Sequence, residues 1–115
     1  MKKRPTPPQS PLKPVVFHIL LVLTEGERHG YNIVKEVETR TEGELRIEPA
    51  NLYRTLRTLE AEGLIEESDA RPDPRLDDQR RRYFRITDAG RVAVKAEAAR
   101  FAKLAELARA HRLLG

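Results

Sequence analysis

The chain is 115 residues long, 35% charged and 39% hydrophobic, with no cysteine and a formal net charge of +4. That length supports one domain with one core, and the lack of cysteine excludes disulfides, thiolate nucleophiles and cysteine-ligated zinc. No apolar run approaches the roughly 18 residues that cross a membrane, while a charged fraction above the about 25% of an ordinary domain, with a basic balance, fits an anionic partner such as nucleic acid.

Residues 1–13 set Pro5, Pro7, Pro8 and Pro11 among lysines and arginines. Proline offers no amide hydrogen to a helix or sheet, so these residues predict a mobile basic arm, suited to following a DNA backbone. From Pro14 onward Val15, Val16, Ile19, Leu20, Val22 and Leu23 recur at helical spacing and predict a first helix to about Thr24. No small-residue cleavage site follows that apolar stretch, so a signal peptide is not expected and a cytoplasmic location is.

A second helix opens at His29-Gly30-Tyr31, carries Tyr31, Ile33, Val34 and Val37 on one side, and is broken by Gly43. Leu45-Arg46-Ile47 alternates and predicts a very short strand. Pro49 then starts a third helix and Gly63 stops it, the asymmetry usual at helix ends. Residues 64–68 read as a strand and 69–79 as a turn region rich in Pro and Asp. Residues 81–86 form a returning strand with Phe84 and Ile86 on one face and Tyr83 and Arg85 on the other. Thr87 N-caps a last helix, with Asp88 near its positive end, running to about Leu113. The expected fold is mainly α with a small β-hairpin: a winged helix-turn-helix over residues 14–87, plus one long C-terminal dimerisation helix within 88–115.

The third helix has the pattern of a reading helix. At about 100° per residue, Leu52, Leu56 and Leu59 fall together and face the core. Ala50, Arg54, Arg57 and Ala61 lie opposite, flanked by Asn51 and Thr58. Arginine pairs with guanine or phosphate, asparagine pairs with adenine, and alanine and threonine allow contact with a thymine methyl. The arginines precede Glu60 and Glu62, as suits a helix whose N-terminal half enters the major groove. In the hairpin, Arg80, Arg81, Arg82 and Arg85 cluster beside Tyr83. Wings of this kind grip phosphates. Asp69, Asp73, Asp77 and Asp78 share the loop, so the expectation is that Arg81 and Arg82 contact phosphate while the acidic tip bends away.

Three segments in this order and spacing carry a resemblance. His29-Gly30-Tyr31 comes first. Leu52-Tyr53-Arg54-x-Leu56-x-x-Leu59-Glu60-x-x-Gly63-Leu64-Ile65 follows, and then Arg81-Arg82-Tyr83-Phe84-x-Ile86-Thr87-x-x-Gly90. Together they closely resemble the PadR-like transcriptional regulators over about residues 15 to 105, and the single C-terminal helix resembles the short subfamily. The resemblance implies a homodimeric repressor with the third helix in the major groove, Tyr53 near the phosphate backbone and the wing flanking the groove. It also implies a small-molecule effector at the dimer interface. Some short members use a C-terminal tryptophan to sandwich flat ligands; with no Trp here, that stacking comes from Phe101 or does not occur.

In the last helix Val94, Ala98, Phe101, Leu104, Ala105 and Ala108 form a stripe at spacings of three and four, widened by Leu107. No further core remains in the chain to cover it, so a second copy is expected there. Two-fold symmetry would then place the reading helices one DNA turn apart, roughly 34–36 Å, over a palindromic site. His18, His29 and His111 lack metal-ligand spacing; His29 is expected to brace the start of the second helix. Glu60, Glu62, Glu66 and Glu67 read as solvated charge, and no nucleophile motif or phosphate-cradling loop is present. Neither a cofactor, a metal nor an enzyme activity is expected. The alternative to sequence-specific repression is a winged helix serving as a protein-docking module, and a regulator of the MarR type would share the fold with more helix on both flanks.

Overall fold

The computed structural model describes residues 11–68 and 82–114. Pro14 stands at the start of α1 (Pro14–Leu23), where its missing N–H forfeits no helical bond. A two-residue strand β1 (Arg28–His29) leads into α2 (Gly30–Arg40), followed by α3 (Pro49–Ala61), β2 (Ile65–Ser68), β3 (Tyr83–Ile86) and α4 (Asp88–Ala110). The sheet is antiparallel in the order β1-β3-β2. Ile65 pairs with Ile86 and Glu67 with Phe84 across the hairpin, while Arg28 and His29 pair with Phe84 and Tyr83. One core results, with Ile19, Leu20, Leu23, Ile33, Val37, Leu52, Leu56, Leu59, Ile65 and Phe84 all buried within it.

Helices α2, α3 and α4 end with the same pair of backbone bonds. In α3 the Gly63 amide donates to Glu60 and the Leu64 amide to Leu59, with Gly63 in the left-handed region at φ 77°. The carbonyls left open at a helix end are satisfied, and Leu64 is thrown back into the core beside Leu59. Glu42 and Arg112 take the same position after α2 and α4, at φ 53° and 59°. Arg112 therefore closes the last helix at Ala110, short of the expected Leu113.

Residues 45–47 do not form the short strand that their alternation predicts. The Thr41 hydroxyl accepts from the Leu45 amide at 3.1 Å, and Leu45 and Ile47 lean as single side chains onto the core. The third strand is β1 instead, because β3 has a free edge beside Arg28 and His29, and the Gly30 amide extends the ladder to the Arg82 carbonyl at 3.3 Å.

Thr87 caps α4 as expected, accepting from the Gly90 amide at 3.1 Å, and its hydroxyl also donates to the Gly63 carbonyl. A Cβ at Gly90 would sit 2.1 Å from the Leu64 carbonyl oxygen, so only glycine lets α4 cross the root of the hairpin this closely. Further along, α4 packs on α1 and β3 as far as Glu97. The Glu97 carboxylate is 2% exposed. One of its oxygens accepts from the Leu12 amide at 3.0 Å and the other from Arg100 Nε at 2.8 Å, which fixes the segment entering α1. Beyond Glu97 the helix leaves its own domain, touching it again where Phe101 meets Phe17 edge-on at 4.8 Å.

Candidate nucleic-acid interface

The helix-turn-helix is held together at His29-Gly30-Tyr31. His29 Nδ1 accepts from the Asn32 amide at 3.0 Å and so caps α2. Its ring packs on Tyr31 and edge-on against Tyr83, joining α2 to the returning strand. Gly30 is buried, and a Cβ there would meet Tyr53 Oη at 3.2 Å and Leu52 Cδ2 at 3.3 Å. The absence of a side chain at Gly30 thus lets α3 lie against the first turn of α2. Tyr53 is half-buried at this contact.

The remainder of α3 divides as its periodicity predicts. Leu52, Leu56 and Leu59 are each 1% exposed. Ala50, Asn51, Arg54, Arg57 and Thr58 are exposed. The Thr58 hydroxyl donates to the Arg54 carbonyl at 3.1 Å, so its polar atom is already satisfied within the helix. Among the described residues neither Arg54 nor Arg57 enters an ion pair. Two permanently charged forks are therefore presented to solvent on one helix face, with aliphatic anchors behind them.

The hairpin differs. Arg82 engages both oxygens of Glu67, Nε to Oε1 at 2.9 Å and Nη2 to Oε2 at 2.5 Å. Hydrogen bonding to Glu67 holds the Arg82 guanidinium above its ordinary pKa, against the opposing effect of burial, with smaller contributions from Glu60 and Tyr53 of α3. Arg85 donates to Glu66 at 2.7 Å and lies 3.7 Å from Glu27. Arg82, expected free for phosphate, is thus neutralised within the chain; the acidic partner is Glu67 on the facing strand. Arg81, expected to act with it, and the four loop aspartates lie outside the described residues.

Tyr31, which the sequence groups with Ile33, Val34 and Val37 on one side of this helix, is instead turned out to solvent. It is 60% exposed in the first turn of α2, with Lys35 5.6 Å from its ring centroid.

The expected dimerisation stripe is divided. Val94 is 6% exposed and belongs to the chain's own core, because it shares a helix face with Gly90 and Glu97 where α4 still packs on α1 and β3. Ala98, Phe101 and Leu104 are exposed, and Ala105 and Ala108 partly so. Leu104 and Leu107 are 58% and 53% exposed.

Three helices, a hairpin packed beside the third and a short strand completing the sheet define a winged helix-turn-helix protein. Comparison with known proteins gives the same class and narrows it. The profile of the Transcriptional regulator PadR-like family matches residues 19–96. The transcriptional regulator Rv3488 of Mycobacterium tuberculosis is 36% identical over 80 residues, covering 70% of this chain and 68% of that protein. A PadR-like regulator from Bacillus cereus superposes with a TM-score of 0.71 at 19% identity, over 88% of this chain and 92% of its own. Bacillus subtilis PadR, solved in complex with operator DNA, superposes with a TM-score of 0.57 at 23% identity, over 70% of this chain and 44% of its own. The chain belongs to the PadR-like family of transcriptional regulators. It is a regulator and not an enzyme. Among the described residues no helix is long and apolar enough to cross a membrane.

Proposed function

We propose that the chain represses transcription by binding a palindromic operator as a homodimer, with α3 in the major groove. The observation that carries this reading is the pair of exposed guanidinium groups of Arg54 and Arg57, which enter no ion pair among the described residues, backed by Leu52, Leu56 and Leu59. Arg54, Arg57 and Asn51 read base edges, while Ala50 and Thr58 permit close approach. Tyr53 and Tyr31 donate to flanking phosphates, which fix register without specifying sequence. The B. subtilis relative bound to operator DNA supports the same use of the fold here.

A second copy covers α4 through Ala98, Phe101, Leu104, Ala105 and Ala108. Leucines this exposed on a helix that has left its own core favour burial against another chain. A small-molecule effector that releases DNA would bind at that interface beside the Phe17–Phe101 pair. Selection of bound sites from random duplex DNA tests the reading. A two-fold symmetric consensus is expected, and equal affinity for matched and scrambled duplex would instead make the chain a protein-docking module. Leu104→Glu should convert a dimer to a monomer in sedimentation velocity; an unchanged dimer would place the interface elsewhere.

A further inference from the structure

The wing carries its own counter-ions. The Arg82 donors that Glu67 occupies, Nε and Nη2, form the edge of the guanidinium suited to a bidentate phosphate. The guanidinium lies 5.8 Å from the centre of the Phe84 ring. Arg82 and Glu67 stand on the two paired strands of the hairpin, and the strand that carries Glu67 packs against α3. One strand position away, Glu66 occupies Nε of Arg85. A phosphate can engage that edge of either arginine only by displacing a carboxylate already bonded there, whereas among the described residues Arg54 and Arg57 have none to displace.

We propose that Glu67 is a brake on the wing: it competes intramolecularly with DNA phosphate for Arg82 and so lowers the wing's contribution to the binding of every duplex, leaving discrimination to α3. The proposal rests on the DNA-binding reading above. Its physical basis is that phosphate contacts add affinity for every sequence alike, so weakening them in the free protein lowers affinity for operator and scrambled duplex by the same factor and leaves base recognition unchanged. The pair is partly solvated, with side-chain exposures of 38% and 33%. Its competition is accordingly modest, about two- to fivefold in affinity.

The test uses the full chain with Glu67→Gln, which removes the charge and keeps the shape. Binding to the selected operator and to a scrambled duplex is titrated by fluorescence anisotropy over a range of salt. The variant should bind scrambled duplex about two- to fivefold more tightly. Its plot of log affinity against log salt should steepen by about 0.9 for one added phosphate contact, on operator and scrambled duplex alike, with the operator-to-scrambled ratio unchanged. Arg82→Gln should abolish the gain when combined with Glu67→Gln. A gain that survives in the double variant reports general charge only and overturns the proposal, as does unchanged or weakened binding by Glu67→Gln. Glu67→Ala, which also removes the charge, should change affinity in the same direction and keeps the test decisive should Glu67→Gln not fold. Parent protein is titrated alongside: parent that binds no duplex refutes the DNA-binding reading itself, whereas parent that binds beside an unresponsive variant refutes only the role of Glu67.

Discussion

Two surfaces of this molecule hold arginines and use them differently. On α3, Arg54 and Arg57 project from a helix whose opposite side is fixed by three buried leucines. On the hairpin, Arg82 and Arg85 are bonded to Glu67 and Glu66. The formal net charge of +4 does not distinguish these surfaces. A free guanidinium meets a nucleic acid with its donors hydrated and available; a paired one must first exchange one anion for another. Counting cations therefore overstates the wing and understates α3.

The harshest way to break the comparison is to remove what holds α3 in place. Leu56 is buried at the centre of the anchoring row, so Leu56→Ala should lower unfolding free energy by about 2–5 kcal/mol, read in urea titrations. Operator affinity should fall with it even though no DNA-facing residue has changed. Full stability in that variant would mean that the leucine row does not hold the helix. Next in size, Arg54→Ala should weaken binding to the selected operator by about 1–3 kcal/mol and relax preference at one base pair. Arg82→Ala should cost less, and equally for matched and scrambled duplex, because its side chain already has an anion. Equal losses at both positions, with the same sequence dependence, would erase the distinction between the two surfaces.

How much of this was legible in the sequence follows from the range of the interactions. The α3 row is local: Leu52, Leu56 and Leu59 fall on one face by helical periodicity alone, and Pro49 and Gly63 mark the ends. The free cations opposite were predictable for the same reason. The wing was not, because the partner of Arg82 stands 15 residues away and is brought to it only by the hairpin register. Strand β1 was missed since two residues carry no period, and its pairing depends on the position of β3. Val94 was assigned to the outer stripe because periodicity gives a helix face but not the point at which α4 leaves its domain. That point is set by the contacts that end near Glu97.

The smallest expected effect comes from pairing outside both surfaces, and it asks whether a paired arginine acts through charge. Arg40 of α2 grips both oxygens of Glu25, at 2.6 and 2.7 Å, and also bonds Glu36 at 3.1 Å. The Arg40 hydrogen bond holds the Glu25 carboxyl below its ordinary value of 4.5, in spite of a smaller opposing effect of desolvation. A lowered carboxyl pKa binds fewer protons in the folded state. Its stabilisation is therefore present above the unfolded value and lost as pH falls through the folded one. Glu25 is exposed, so the contribution is small and weakens with salt. Thermal midpoints of the parent should exceed those of Glu25→Gln at neutral pH, and the gap should close as pH drops below 4.5. A gap that stays constant into acid would show that the link holds by shape and hydrogen bonding. Paired arginines would then keep their partners by fit, and the contrast between wing and reading helix would rest on geometry more than on electrostatics.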